Sequence, residues 1–208
     1  MILCDIGNSS YHFFDTEQKT NFKIFDDEKL PKIEERVYFA SVNEKKTEVF
    51  IQRFPNCINL EQFCEFETSY EGMGFDRKLA CTTCNNGLIV DAGSAITVDL
   101  MENSVHLGGF ILPGIKALIK CYGEISPKLL IDFEKETFLD KIPNSTKNAI
   151  NYAILKSIIL PIGEIASSHK ITFTGGDGKI LASFFANSIY DEFLIFKGMQ
   201  QIIEREKC

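Results

Sequence analysis

The chain carries one short device twice. Residues 2–6 end on Asp5-Ile6 and run into Gly7-Asn8-Ser9-Ser10, and a second β-rich run, Tyr11–Asp15, follows at once. Further on, Leu88–Val90 leads into Asp91-Ala92-Gly93-Ser94 and out through Ala95–Leu100. Each copy reads strand, aspartate, one residue, glycine, small polar residue, strand. That pattern predicts a hairpin with a tight glycine turn. Two such hairpins, at matching places in two halves of the chain, predict a duplicated α/β architecture with a cleft between the halves. The expected halves are residues 1–87 and 88–208.

The intervening segments fit that frame. A third strand is expected over 21–25, a loop or short helix over 26–36, a strand over 37–42 and a helix over 45–54. Residues 57–63 read as a short strand with its turn, and a helix begins near Asp76. In the second half, residues 104–112 read as a strand that turns at Pro113-Gly114 into a helix. Ala149, Ile150, Ala153, Ile154 and Ile158 recur at helical spacing. Ser145 or Thr146 would cap that helix, and Pro161 would kink or break it. The end reads strand 170–176, helix 179–186, strand 192–196 and helix 199–207.

Composition removes some functions. The 208 residues carry a net charge of −7, which lacks the basic footprint that nucleic acid asks for. No run of eighteen or more apolar residues appears, so no membrane span is expected. Asp5 interrupts the opening apolar run, which does not read as a leader. The expected setting is the cytoplasm. The seven cysteines would there be mostly free thiols. Cys81-Thr-Thr-Cys84 could form half a zinc site or a redox pair. No second C-x-x-C exists, and His12, His106 and His169 are scattered. The two thiols therefore read as small residues of the helix that begins near Asp76.

The two turns carry chemistry as well as shape. Glycine leaves no side chain between amide and ligand, and successive N–H groups in such a turn form an anion-binding concavity. Asn8, Ser9 and Ser94 add side-chain donors. The carboxylates of Asp5 and Asp91 are hard oxygen ligands, suited to a cation that travels with phosphate. Either turn alone could be an ordinary hairpin; the pair at equivalent points favours phosphate. Thr174-Gly-Gly-Asp-Gly178 lies between a strand and a helix, where it could receive phosphate or a flat ring, or simply connect the two. Asp76-Arg77 offers a carboxylate that can accept a hydroxyl proton and a guanidinium that can fork onto a carboxylate. A surface acid–base pair with Asp76 as helix cap is the plainer reading of those two residues alone.

Taken in order, "DIGNSS", "YEGMGFDR", "DAGSAITVDL", "GGFILPG" and "TGGDG" resemble the type III pantothenate kinases, of the acetate/sugar kinase, Hsp70 and actin superfamily. The most specific element is Gly74-Phe75-Asp76-Arg77, similar to that family's pantothenate signature. Ser9 and Ser94 stand where the family commonly has threonine, and Tyr70 lies only four residues before Gly74. The resemblance implies two ribonuclease H-like domains, the actin-like ATPase fold, with the active site in the cleft. It implies ATP-dependent phosphorylation of pantothenate to 4′-phosphopantothenate, the first step towards coenzyme A. Asp76 would be the catalytic base. Tyr70, Gly74, Phe75, Arg77 and Thr146 would join it in binding substrate. The ATP site would run from Asp5 and Ile6 through Gly7, Asn8, Ser9 and Ser10 to Tyr11 and His12, with Ser94 from the second turn. Asp5 would act through Mg²⁺, and Asp91 would hold a monovalent cation, K⁺ or NH₄⁺. A homodimer with the substrate pocket at or near its interface is also implied. Another kinase of the superfamily, acting on a different hydroxy acid or sugar, and a nucleotide-dependent regulator are the alternatives.

Overall fold

Both expected hairpins form in a computed structural model that describes residues 1–134 and 139–206. β1 (Ile2–Ile6) pairs antiparallel with β2 (Tyr11–Asp15), Ile6 opposite Tyr11. β3 (Thr20–Ile24) extends this meander, and β4 (Val37–Ser41) and β5 (Ile58–Asn59) add parallel strands on the other side of β1. The sheet order is β3-β2-β1-β4-β5. The second sheet repeats it. β6 (Gly87–Ala92) and β7 (Ala95–Glu102) make the hairpin, and β8 (Val105–Pro113) flanks it. β9 (Ile171–Thr174) and β10 (Ser188–Tyr190) run parallel beyond β6. The order is β10-β9-β6-β7-β8, the same topology in the same sequence of steps.

Two compact units result. One is Met1–Asn85 with Ser104–His106 and Phe193–Cys208; the other is Asn86–Asn103 with Leu107–Glu192. The division is thus not a single cut near residue 87. The C-terminal helix α6 (Leu194–Glu206) belongs to the first unit, where Gly198 lies so close to the Leu79 carbonyl that no side chain would fit. Leu79 is on α2 (Phe75–Thr82).

The core of the first unit is aromatic. α1 (Glu44–Arg53) is mostly polar and buries Phe50 alone. Asn43 caps it, accepting from the Lys46 amide at 3.0 Å. The Phe50 ring lies 4.6 Å from Phe54 and 5.2 Å from Phe39, centroid to centroid, and stacks on Tyr11 at 6.0 Å. One side chain therefore ties α1 to the aromatic side chains of two strands, β2 and β4. Burying a phenylalanine of this kind contributes about 2–3 kcal/mol from transfer out of water.

The core of the second unit is aliphatic. α4 (Thr146–Ala166) buries Ile150, Ile154, Ile158 and Ile162 among Leu88, Val90, Val98 and Phe173 of the sheet. Among the described residues it is the one helix long and apolar enough, by length and composition, to cross a membrane; its buried stripe is that of a core helix. α3 (Ile115–Ile125) and α5 (Gly178–Ala182) complete the unit.

Several local expectations are corrected. Residues 192–196 do not form a strand: the last strand is Ser188–Tyr190, and α6 already begins at Leu194. A short apolar run fits either element, and here the helix wins by burying Ile195, Met199, Ile202 and Ile203 at helical spacing. Pro161 does not break α4, which runs from Thr146 to Ala166. α5 ends at Ala182, short of residue 186. Cys81 is buried on α2, but Cys84 lies beyond its end at Thr82. Lys207 of the expected final helix, and the Cys208 thiol, lie outside the described residues.

Phe50→Ala should therefore cost about 3–5 kcal/mol of stability, the range for emptying a buried phenylalanine site. Denaturant unfolding of the purified variant reads this directly, and a loss below about 1 kcal/mol would show that the aromatic cluster does not hold α1.

Candidate active site

The first turn sits at the tip of the β1–β2 hairpin. The Gly7 amide donates to the Ser10 carbonyl at 3.0 Å, which closes the turn. Asn8 and Ser9 are exposed, and Gly7 and Ser10 half-buried. Asp5 is half-buried near the end of β1, opposite His12 on β2 and Ala40 on β4. Side chains of α1's start brace the tip: Asn43 Nδ2 donates to Asn8 Oδ1 at 3.4 Å, and the Thr47 hydroxyl donates to the Asn43 carbonyl at 2.9 Å.

Tyr11 and His12 enter as supports rather than as exposed donors. Tyr11 is fully buried, and its hydroxyl lies 3.1 Å from Asp27 Oδ1 and 3.2 Å from the Lys46 carbonyl. Burial first, and then the Asp27 hydrogen bond, push its phenol well above the ordinary tyrosine range. Lys46 Nζ meets the same Asp27 oxygen at 3.0 Å and lies 4.3 Å above the Tyr11 ring. His12 Nε2 lies 3.1 Å from Asn21 Oδ1, with the ring edge-on to Phe196.

The second element of this unit is the start of α2. Gly74 is its N-cap and offers no side-chain acceptor. Asp76, in the first turn, supplies one instead: its Oδ1 accepts from the Arg77 amide at 2.7 Å. A Cβ on residue 74 would come within 2.7 Å of that oxygen. The glycine of the G-x-D-R motif is thus what leaves space for the carboxylate. Arg77 is only 5% exposed, and its guanidinium carbon lies 4.4 Å from the centre of the Tyr70 ring. Despite its short spacing, Tyr70 is brought to the motif. Two residues that sequence reading left aside complete the group. His106 is buried, its Nδ1 2.6 Å from the Thr68 hydroxyl, and its ring faces Tyr70 and Phe66 at 5.9 Å each. No sequence signal marks a pairing across 38 residues.

In the second unit three motifs meet around one turn. The Gly93 amide donates to the Ala95 carbonyl at 2.9 Å, which closes the β6–β7 turn, and Ser94 is exposed. Gly114, from "GGFILPG", donates to the Ser94 carbonyl at 3.1 Å, so close that a Cβ would strike the Gly93 and Ser94 carbonyls. From "TGGDG", the Asp177 amide donates to the Ala92 carbonyl at 2.9 Å. Gly175 has φ of +81°, and a Cβ there would run into the Asp91 carboxylate and the Ala92 carbonyl. Tyr190 covers this loop, its hydroxyl donating to the Gly175 carbonyl at 3.3 Å. Its phenol is pushed up by burial and then by the charges of Glu192, Asp91 and Asp191.

The remaining expected residues are placed as follows. Gly108 and Gly109 do not join this cluster; they line an apolar cavity with Leu88, Val98, Leu100 and Ile165. Thr146 is the exposed first residue of α4, and its neighbour Ser145 is the cap, accepting from the Asn148 amide at 3.4 Å. Phe75 is buried at the start of α2.

Comparison with known proteins bears on this arrangement. Residues 15–168 match the family model described as type III pantothenate kinase. A type III pantothenate kinase of Helicobacter hepaticus is 43% identical over 210 residues, covering 99% of this chain and all of the relative. One from Campylobacter jejuni is 46% identical over 205 residues, covering 98% and 97% of the two chains. A crystal structure from Campylobacter jejuni, described provisionally as a conserved Baf family transcriptional activator, superposes with a TM-score of 0.89 at 44% identity over 100% of this chain and 99% of that one. More remotely, a structure from Sinorhizobium meliloti described provisionally as a 2-dehydro-3-deoxygalactonokinase shares the fold, with a TM-score of 0.57 at 8% identity over 99% and 98%.

Gly175→Ala tests the meeting of the three motifs. It combines a left-handed backbone, about 1–2 kcal/mol, with an overlap costing about 1–3 kcal/mol. Thermal unfolding should show the loss, whereas a variant as stable as the parent would mean that the loop does not press on the Asp91 turn.

Proposed function

The chain belongs to the type III pantothenate kinase family, and from that premise we propose how its residues divide the work. As a member, it transfers phosphate from ATP to pantothenate, the first step of coenzyme A biosynthesis. Its fold is that of the actin-like ATPases and sugar kinases.

The observation that carries the proposal is the group at the start of α2: the Asp76 carboxylate beside an Arg77 guanidinium seated on the Tyr70 ring at 4.4 Å. Pantothenate has a primary hydroxyl and a carboxylate. Asp76 accepts the hydroxyl proton as the oxygen attacks the γ-phosphorus and the bond to the bridging oxygen of the departing ADP breaks, and Arg77 forks onto the carboxylate. Tyr70 gives the pocket a flat wall, Gly74 and Phe75 shape its floor, and Thr146 contributes a hydroxyl. The amides of Gly7 to Ser10, with Ser94, hold the ATP phosphates. Phosphoryl transfer asks the protein mainly for such positioning and for neutralised charge. Asp5 would hold Mg²⁺ through the phosphates, and Asp91 a monovalent cation. When bound, these ions neutralise charge on the phosphates. The enzyme would act in the cytoplasm, as a homodimer whose interface borders the substrate pocket.

The description of the Campylobacter jejuni structure favours a second role, regulation of transcription, beside catalysis. A net charge of −7 weighs against direct contact with DNA. Gel-shift titration with and without pantothenate and ATP separates the two roles.

Two outcomes follow for the enzyme. Asp76→Asn should lower kcat by about two to four orders of magnitude, the range for loss of a general base, while ATP binding by calorimetry stays unchanged. Near-normal turnover would remove Asp76 from that role. For the cation, turnover should be low in Na⁺ or Tris and rise with K⁺ or NH₄⁺. Asp91→Asn should blunt that rise, and equal rates in Na⁺ and K⁺ would end the assignment.

A further inference from the structure

We propose that His106 is a positioning residue for recognition of the substrate's carboxylate, acting through Thr68 and Tyr70 on Arg77. The inference rests on the reading that Arg77 binds that carboxylate.

An arginine side chain has rotamer entropy to lose on being fixed. Arg77 is already packed against an aromatic face, so part of that loss precedes substrate binding. The face must itself be fixed. Tyr70 lies in the stretch between Phe63, the end of a 3₁₀ turn, and the Gly74 cap, where no regular element is formed. Its backbone amide donates to the Thr68 hydroxyl at 3.1 Å. That hydroxyl lies 2.6 Å from His106 Nδ1. The His106 ring, 4% exposed, meets those of Tyr70 and Phe66 at 5.9 Å each. The contacts run in one line from a residue on β8 to the guanidinium: His106, Thr68, Tyr70, Arg77.

The line holds with either imidazole tautomer. A threonine hydroxyl has one hydrogen and two lone pairs. It accepts from the Tyr70 amide and then either donates to bare Nδ1 or accepts from protonated Nδ1. Losing the link frees Tyr70's loop, and with it the guanidinium, while the phosphate turns at Gly7 and Gly93 keep their own closing bonds.

Steady-state kinetics of four variants test this. His106→Leu and Thr68→Val should each raise the KM for pantothenate about five- to tenfold, the effect of about one hydrogen bond, with the KM for ATP within about twofold. His106→Asn, which places an amide where Nδ1 lies, should recover most of the loss. The double variant Thr68→Val/His106→Leu should be no worse than the worse single one, because both break the same link. With pantothenyl alcohol, which lacks the carboxylate, the variants should differ little from the parent. Unchanged pantothenate KM, equal shifts for ATP and pantothenate, additive losses, or an asparagine no better than leucine each overturn the proposal. Should His106→Leu fail to fold by circular dichroism, Thr68→Val, which keeps the side chain's shape, decides alone. Arg77→Lys separates the two levels. If it leaves the pantothenate KM unchanged, the carboxylate reading fails; if it raises that KM and the His106 and Thr68 variants do not, only the positioning role fails.

Discussion

A turn that is to hold phosphate must keep its own carbonyl oxygens occupied elsewhere, and the β6–β7 turn does so through backbone contact alone. The Ala92 carbonyl accepts from the Asp177 amide and the Ser94 carbonyl from the Gly114 amide. Both contacts need backbones at distances that a Cβ at residue 114 or 175 would prevent. The glycines of two later motifs therefore exist for the sake of the first. Once the carbonyls are taken, they no longer oppose an anion at the turn.

At the start of α2 the same economy appears in a side chain. A helix begins with amides that its own backbone cannot satisfy. Here the cap is a glycine, and Asp76 turns back to take the Arg77 amide. The bond fixes where the carboxylate sits. In phosphoryl transfer, with its loose transition state, place matters more than proton affinity. The residue cast as base is thus held by the helix that presents it, and the next residue is held by Tyr70. The acid and the guanidinium are neighbours in sequence but are anchored by different partners, so each can be disturbed separately.

The sequence made the hairpins plain because alternation and glycine turns are local signals. Ile154 and Ile158 were equally readable, since helical spacing decides burial. What it hid were contacts between distant segments. Thr68 with His106, Gly175 with Asp91 and Gly114 with Ser94 are backbone or side-chain approaches that only the folded chain brings about. The segment at 192–196 was misread for a related reason. Five residues rich in Phe, Leu and Ile fit strand and helix alike, and only packing against α2 settled the matter. Ser188–Tyr190, at three residues, is too short to announce itself.

The duplication is one of topology rather than of means. Both sheets follow the same order, and both hairpins end in an acid and a glycine. Yet the first turn adds side-chain braces, Asn43 at Asn8 and the Tyr11–Asp27–Lys46 group below it, to the Val42 amide on the Ile6 carbonyl, whereas the second is braced by the backbone amides of Gly114 and Asp177. Side-chain braces tolerate substitution by degrees, because a longer or shorter group can still reach. A backbone brace at a site with no room for a Cβ tolerates almost none. The first turn's donors can therefore change by degrees, while Gly114 and Gly175 are fixed by geometry.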